Sequence, residues 1–273
     1  MKNKVVVITG AGGVLCAEFA KEVARHGAKV VLLDINLDAA QAVVDEIEKD
    51  TQHSGMAKAF AVSVLDRAAL EAVRDEITAE FGSCDILING AGGNNPKGTT
   101  DCEYHDPTVA KTFFDLEREG FTAVFDLNIM GTVIPSQVFA RDMIGKSDCC
   151  VLNVASMSGY TPLTKIPAYS AAKCAIVNFT QWLAVHLSRE GIRVNAISPG
   201  FFVTKQNEAL LYNADGTPTA RTDKILRATP MGRFGEASEL LGALMFLIDS
   251  SKSGFVTGVT LPVDGGFSAY SGV

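Results

Sequence analysis

Short runs of apolar residues alternate along this chain with longer stretches of helical periodicity. The first run, residues 5–8, is uninterrupted, as in a strand that is covered on both faces. After it, apolar residues recur with the helical period as far as Gly27, which predicts a helix ending there. The other strand-like runs are 30–33, 57–62, 86–88, 151–154, 192–197 and 259–263. Because the connections are short and helical, the pattern predicts an α/β fold with a doubly wound, seven-stranded parallel sheet and helices on both faces.

Composition excludes several classes of protein. Hydrophobic residues make up 47% of the 273 positions and charged residues 20%, which excludes a disordered chain. The formal net charge of −7 gives no electrostatic support for nucleic-acid binding. No apolar run reaches the ~18 residues of a membrane span, and the first residues do not resemble a signal peptide.

The cysteines indicate the redox compartment of the protein, and the continuity of the chain indicates its number of domains. The six cysteines are scattered and form no CxxC pair, which favours buried thiols in a reducing cytoplasm over disulfides or metal ligands. No repeat or linker divides the sequence. We therefore expect a cytoplasmic enzyme without a metal site, built as a single domain over residues 1–273.

A glycine-rich turn, Thr9-Gly10-Ala11-Gly12-Gly13, separates the first strand from the first helix. Small residues there let the backbone approach a pyrophosphate, which the helix N-terminus then favours; the alternative is an ordinary tight turn. Asp34 ends the second strand, 34 − 10 = 24 residues after Gly10. A carboxylate in that place accepts hydrogen bonds from a ribose and repels a 2′-phosphate, so it favours NAD over NADP. The alternative is a solvated strand-end acid.

Three further motifs follow later strands. Asn89-Gly90-Ala91-Gly92 comes after the fourth strand and is, taken alone, only a loop. Tyr169 and Lys173 lie four residues apart in a helical stretch and so share one face. Ser156 follows the fifth strand, and Pro199-Gly200 follows the sixth. Because ligands bind at the carboxyl ends of parallel strands, these residues are expected to meet at one edge of the sheet.

With these motifs in this order, the chain resembles the short-chain dehydrogenase/reductase family over nearly its whole length. The resemblance implies a Rossmann-type fold, NAD as the cofactor, a homotetramer, and a catalytic set of Asn128, Ser156, Tyr169 and Lys173. The implied cofactor contacts are Gly10, Gly12, Gly13, Val14, Leu15, Asp34, Ile35, Ser63, Val64, Asn89, Ala91, Gly92, Tyr169, Lys173, Pro199, Gly200, Phe202 and Thr204.

The chain departs from the family pattern in three places. Val14 and Cys16 stand where the family has the second and third glycines of its first turn. Ser63 stands where many members have an aspartate. The distance from Asn89 to Asn128, 128 − 89 = 39 residues, is longer than usual. The extra length, about residues 93–120, falls after the cofactor loop, where it would lie near the substrate.

The catalytic set predicts alcohol–ketone chemistry. A tyrosine with the reference pKa of ~10 is protonated near neutrality, and a neighbouring ammonium favours its phenolate form. Tyr169 is therefore expected to act as the acid and base, with its pKa depressed by Lys173. Ser156 would orient the substrate oxygen. The resemblance implies that Asn128 anchors a water relay to Lys173.

Residues 88–97 resemble the sugar-acid branch of the family, which includes D-mannonate oxidoreductases (D-fructuronate reductases). Such a substrate needs a cation and polar partners, for which we expect Asn94, Asn95 and Lys97 together with Ser156. Lys165 and Lys205 are further candidate cations. Gluconate 5-dehydrogenase and 3-oxoacyl-carrier-protein reductase activities stay open, although Asp34 opposes the NADP of the latter. A non-catalytic nucleotide sensor also stays open, and the intact catalytic set argues against it.

Overall fold

A sheet of seven parallel strands forms the centre of this computed structural model, which describes residues 1–51, 56–203 and 211–272. The strands are β1 (Val5–Thr9), β2 (Lys29–Asp34), β3 (Ala57–Ala61), β4 (Ile86–Asn89), β5 (Cys149–Val154), β6 (Ile192–Pro199) and β7 (Thr260–Val263). Their order across the sheet is β3-β2-β1-β4-β5-β6-β7. The predicted doubly wound parallel sheet is confirmed, with strand ends shifted by one or two residues.

Helices cover both faces of the sheet. They are α1 (Val14–Arg25), α2 (Leu37–Thr51), α3 (Arg67–Glu80), α4 (Arg118–Phe125), α5 (Gly131–Phe139), α6 (Pro167–Leu187), α7 (Ala220–Ala228), α8 (Leu241–Ile248) and α9 (Ser250–Ser253). The first helix ends at Arg25, and His26 is its C-cap. Gly27 follows with a φ of 81°, a conformation that suits glycine and lets the chain turn back into β2.

Alternation along β1 divides the core between the two faces. Val6 and Ile8 belong to the apolar cluster under α1, α2 and α8, whereas Val5 and Val7 belong to the cluster under α3, α5 and α6. All four side chains are buried. A strand covered on both faces loses the polar–apolar alternation of an exposed strand, which explains the continuous apolar run in the sequence.

One helical stretch of the described chain, Arg118–Met143, is long and apolar enough to cross a membrane by length and composition alone. Half of its apolar window is buried inside the protein, and its two α-helical parts pack against α6 and α3. A π-helical turn, Asp126–Met130, joins α4 to α5 within this stretch. The packing is that of a core helix, and the turn lies at the edge of the sheet where the candidate site is found.

The polar ends of the strands meet at one edge of the sheet. Residues 93–117, which connect β4 to α4, cross this edge with only short 3₁₀ turns at Pro96–Gly98 and Phe113–Asp115. A capping box holds the second turn, since Thr112 and Asp115 exchange hydrogen bonds. The segment that the sequence marked as extra length is therefore an ordered irregular connection beside the candidate site.

Candidate active site

The turn after β1 passes very close to the loop after β4. Gly10 has a left-handed φ of 64°, and a Cβ built on it would lie 2.8 Å from backbone atoms of Ala91. The hydroxyl of Thr9 accepts hydrogen bonds from the amides of Gly90 and Ala91, at 3.1 and 3.2 Å. These contacts leave no room for a side chain at Gly10 and hold the two segments against each other.

Helix α1 begins directly after this turn without a side-chain cap. Gly13 occupies the N-cap position and forms no side-chain hydrogen bond to the helix. The first amides of the helix, on Val14 and Leu15, are therefore the donors that an anion at this helix end would meet. The absent family glycine at Val14 does not matter for this purpose, because the contact uses backbone atoms.

Asp34 lies at the carboxyl end of β2 with both carboxylate oxygens engaged. Oδ2 accepts a hydrogen bond from the amide of Gly12 at 2.9 Å, and Oδ1 accepts one from the amide of Asn36 at 2.9 Å. Beside it, Ile35 is 81% exposed and offers an apolar surface. A tight glycine turn, an uncapped helix end and a fixed acid at this spacing fit the pyrophosphate and ribose of a dinucleotide.

The remaining expected cofactor residues lie along the same edge. Gly92 contacts Asn128, while Val64 is buried against Gly131. Ser63 accepts a hydrogen bond from the amide of Leu65. Pro199 ends β6, Gly200 packs against Asp264 with no room for a Cβ, and Phe202 is buried against Gly235. Thr204 and Lys205 lie outside the described residues.

The side chain of Asn89 points into the protein interior. It is 1% exposed, and its Nδ2 donates to Ser136 Oγ and Asn153 Oδ1, both at 2.9 Å. Asn153 in turn donates to Thr180 at 2.9 Å. The contact expected between Asn89 and a cofactor stays a prediction, and it would have to use the backbone, because the side-chain amide links β4, β5 and two helices in the protein interior. It supports the loop that follows it.

Three of the four expected catalytic residues lie together, one just after β5 and two on α6. Ser156 follows β5, and its hydroxyl forms a hydrogen bond with Tyr169. Tyr169 and Lys173 lie one turn apart on α6, with Lys173 Nζ 5.5 Å from the centroid of the tyrosine ring. Lys173 is 4% exposed and donates to the carbonyl of Val154 at 2.9 Å.

Asn128 completes this set from the π-helical turn. Its Nδ2 donates to the carbonyls of Gly93 and Val124 at 2.7 and 2.8 Å, and its Oδ1 accepts from the amide of Gly93 at 3.3 Å. A Cβ built on Gly92 would lie 2.7 Å from Asn128 Oδ1 and 3.2 Å from Lys173 Nζ, so the amide and the ammonium are close neighbours. The structure thus brings all four residues together.

Comparison with known proteins agrees with this geometry. The family model described as short chain dehydrogenase matches residues 4–214. The chain belongs to the short-chain dehydrogenase family. It is accordingly an oxidoreductase of the nicotinamide-dependent kind.

Two relatives and one solved structure show how similar other members are to this dehydrogenase. An uncharacterized oxidoreductase of Haemophilus influenzae is 58% identical, with 100% of this chain and 96% of the relative covered. The Bacillus subtilis oxidoreductase UxuB, also uncharacterized, is 52% identical over 100% of this chain and 98% of its own. A structure from Haemophilus influenzae, provisionally named a D-mannonate oxidoreductase, contains bound NAD. It is 57% identical, covers 100% of this chain and 98% of its own, and superposes with a TM-score of 0.96.

Burial controls the titration of the two central groups in this dehydrogenase. It raises the pKa of Tyr169 to about 12, and the hydrogen bond to Ser156 opposes the increase. It lowers the pKa of Lys173 to about 8. The expectation that Lys173 depresses the tyrosine pKa is not met in the protein by itself, because burial is the dominant influence and Lys173 is not among the groups that lower this pKa.

The segment 93–120 packs onto the catalytic helix. A Cβ built on Gly98 would lie 3.1 Å from Ala168, the neighbour of Tyr169. The amide of Thr100 donates to the carbonyl of Lys165 at 2.9 Å. Because Lys165 belongs to the connection between Ser156 and Tyr169, the segment lies beside the residues that would meet a substrate.

The polar residues expected at the substrate are partly engaged with one another. Lys97 forms an ion pair with Glu117 at 2.7 Å, and Asn95 accepts from the amide of Lys97 at 2.9 Å. Asn94 donates to the hydroxyl of Thr99 at 3.0 Å. Lys165 is different: its ammonium donates to the carbonyl of Asp101 at 2.7 Å, and it has no carboxylate within ion-pair distance in the described parts of the chain.

Sequence reasoning missed several supporting residues of the site. Thr9 holds the loop after β4, and the hydroxyl of Ser158 donates to Ser156 at 3.0 Å. Thr180 and Ser136 extend the polar network below Asn89. The position of Thr9, at the end of the first strand and beside the glycine turn, is a sequence signal that could have identified its supporting role. The others depend on contacts between distant segments, which spacing along one sequence does not reveal.

Proposed function

We propose that this dehydrogenase prefers NAD and interconverts a secondary alcohol and a ketone on a sugar acid, D-mannonate and D-fructuronate being the expected pair. The observation that carries the proposal is the polar segment 93–120, which is anchored to Lys165 beside the catalytic helix. The provisional name of the NAD-bound relative supports the same substrate.

NAD preference is supported by the position of Asp34. Its carboxylate stands where the hydroxyls of an adenosine ribose would be bound, and its charge would repel a 2′-phosphate. The proposed cofactor contacts are the backbone of Gly10, Gly12, Gly13, Val14, Leu15, Ala91 and Gly92, together with Asp34, Ile35, Ser63, Val64, Tyr169, Lys173, Pro199, Gly200, Phe202 and Thr204.

The chemistry follows from the four clustered side chains. When bound, the nicotinamide accepts a hydride from an alcohol carbon or returns one to a ketone. Tyr169 takes the proton from the alcohol during oxidation and gives it to the ketone oxygen during reduction. Ser156 donates a hydrogen bond to the same substrate oxygen. Lys173 would add positive charge and hold the nicotinamide ribose, and Asn128 would anchor a water relay to Lys173.

We assign recognition of the substrate carboxylate to a lysine, either Lys97 in the segment 93–120 or Lys165, to which this segment is hydrogen-bonded. Lys97 is a candidate with Asn94 and Asn95, but its ammonium is already neutralised by Glu117. Within the described residues, Lys165 donates to the neutral carbonyl of Asp101 and forms no ion pair, so a substrate carboxylate would gain more from it. We therefore place Lys165 ahead of Lys97 as the carboxylate partner.

The proposal extends to the assembly and location of the enzyme. We propose that residues 1–273 form a single domain that assembles as a homotetramer in the cytoplasm. Trp182 is 57% exposed and Val185 is 78% exposed on α6, where the indole stacks on His186 at 4.8 Å. An apolar helix face of this kind supports contact with another copy. Light scattering of the purified enzyme measures the assembly directly.

A substrate screen tests the proposed reaction. Absorbance of NADH is followed with D-fructuronate, D-mannonate, D-gluconate, a matching neutral polyol and a short 3-oxoacyl thioester, each also with NADP(H). We expect turnover of D-fructuronate with NADH and of D-mannonate with NAD. Oxidation of gluconate at C5 alone, or reduction of the thioester alone, would favour those activities instead. Tight NADH binding without any turnover would favour a nucleotide sensor.

A further inference from the structure

Cys16 lies in α1 directly beneath Gly90, the first residue of the loop after Asn89. A Cβ built on Gly90 would overlap the sulfur of Cys16. Gly90 does not have a left-handed φ, so the glycine is required by lack of space: the sulfur is the nearest atom, and the carbonyl oxygen of Thr9 would lie 2.9 Å from the same Cβ. Cys16 itself is only 5% exposed.

The catalytic groups lie against the same short segment, residues 90–92. Two residues after Gly90, the Cα of Gly92 is so close to Asn128 and Lys173 that a Cβ would lie 2.7 Å from Oδ1 and 3.2 Å from Nζ. Contact with Thr9 fixes the segment from the side. The backbone of residues 90–92 therefore lies between Cys16 on one side and Asn128 and Lys173 on the other. Its position depends on the volume of the Cys16 side chain.

We propose that Cys16 is a positioning residue for the hydride-transfer reaction. Its sulfur sets the position of the segment 90–92 and, through Gly92, the positions of the Lys173 ammonium and the Asn128 amide. This role explains how Cys16 can replace the third glycine of the family's first turn. The larger side chain in α1 is accommodated because the loop residue that faces it, Gly90, has no side chain. The role concerns the cofactor side of the site and holds for any alcohol that the enzyme oxidises.

The thiol acts through its volume. Burial raises the pKa of Cys16 to about 12, with Lys173 acting in the opposite direction. The thiol is therefore neutral in the working range of pH and is neither a nucleophile nor a charge partner.

The experiment compares Cys16→Ala with Cys150→Ala. Cys150 is a matched control, because it is 2% exposed, its pKa is also raised to about 12 by burial, and it lies in β5 away from the segment 90–92. Loss of the sulfur at Cys16 lets the segment settle by a fraction of an ångström, so we expect kcat to fall about tenfold. We also expect the apparent pKa in the pH profile of kcat to shift. Cys16→Ser should recover most of the rate.

The control should lose thermal stability to a similar extent and keep kcat and its pH profile unchanged. If Cys16→Ala cannot be purified folded, Cys16→Val replaces it, because the extra branch pushes the segment the other way and should lower kcat as well. All rates are ratios to the parent enzyme with whichever alcohol it oxidises, so failure of the sugar-acid proposal leaves this test intact. Kinetics of the Cys16 variants that match those of Cys150→Ala would overturn the proposal.

Discussion

The amide of Gly12 donates a hydrogen bond to Oδ2 of Asp34 at 2.9 Å, across the turn that joins β1 to α1. The same turn holds Gly12 against Ala39, where a Cβ would lie only 2.7 Å away. The carboxylate is therefore oriented by the protein, with the second oxygen held by the amide of Asn36. An acid held in this way is the basis of the proposed preference for NAD.

Changing the charge at position 34 should change which cofactor the enzyme prefers. In Asp34→Ser combined with Ile35→Arg, one repulsive charge is removed and one attractive charge is added beside the 2′-position. We expect kcat/KM for NADP, relative to NAD, to rise about 10²-fold, the effect of one or two charge-assisted hydrogen bonds. Asp38→Ser, which removes an exposed acid from the start of α2, is the control and should leave the ratio unchanged. A parent enzyme that already prefers NADP would contradict the role of Asp34.

A methyl group at Gly12 should damage cofactor binding more than chemistry. Gly12→Ala forces the turn away from Ala39 and moves the amide that holds Asp34. We expect KM for NAD to rise about tenfold with kcat changed less than threefold, because the reacting groups lie elsewhere. Gly242→Ala is the matched control, since a Cβ there meets no atom within 4 Å. Equal effects of the two substitutions on KM would refute the steric explanation.

The two directions of the reaction should respond differently to pH. Oxidation needs Tyr169 as a base, and its pKa is raised to about 12 by burial, so the basic form becomes more abundant as pH rises. Reduction needs the protonated form, which prevails below that value. We expect kcat/KM for alcohol oxidation to increase from pH 6 to pH 9, by up to about tenfold per unit. Reduction should stay nearly constant between pH 6 and pH 7.5. An oxidation rate that falls over this range would exclude Tyr169 as the base.

Lys165 should bind the carboxylate of the substrate. Lys165→Gln removes the ammonium and keeps a donor for the carbonyl of Asp101. We expect KM for a sugar acid to rise by about 10-fold to 10²-fold, the range of one charge-assisted hydrogen bond, with affinity for NAD unchanged. A matching neutral polyol should be a poor substrate of the parent and should lose little. Lys97→Gln is the comparison, and a larger effect there would return the carboxylate to Lys97 despite its pairing with Glu117.

The sequence predicts those parts of the molecule that follow from local pattern. Strand–helix alternation gave the parallel sheet, and the spacing of Tyr169 and Lys173 placed both on one face of α6. The side-chain contacts of Asn89 and Lys97 could not be predicted, because their partners are distant in sequence. The pKa of Tyr169 was misjudged because burial depends on the packed structure. Cys16 and Gly90 are distant in the sequence, and only the fold shows that the sulfur of Cys16 fills the space that a side chain at position 90 would need.

Replacement of Tyr169 by phenylalanine tests the central claim most directly. Tyr169→Phe keeps the ring beside Lys173 and removes only the oxygen that is hydrogen-bonded to Ser156. We predict that kcat for reduction of D-fructuronate by NADH falls about 10²-fold to 10⁴-fold, as for a lost acid, while the Kd for NADH changes less than about threefold. Turnover by the variant at the parent rate would contradict the assignment of Tyr169 as the group that transfers the proton.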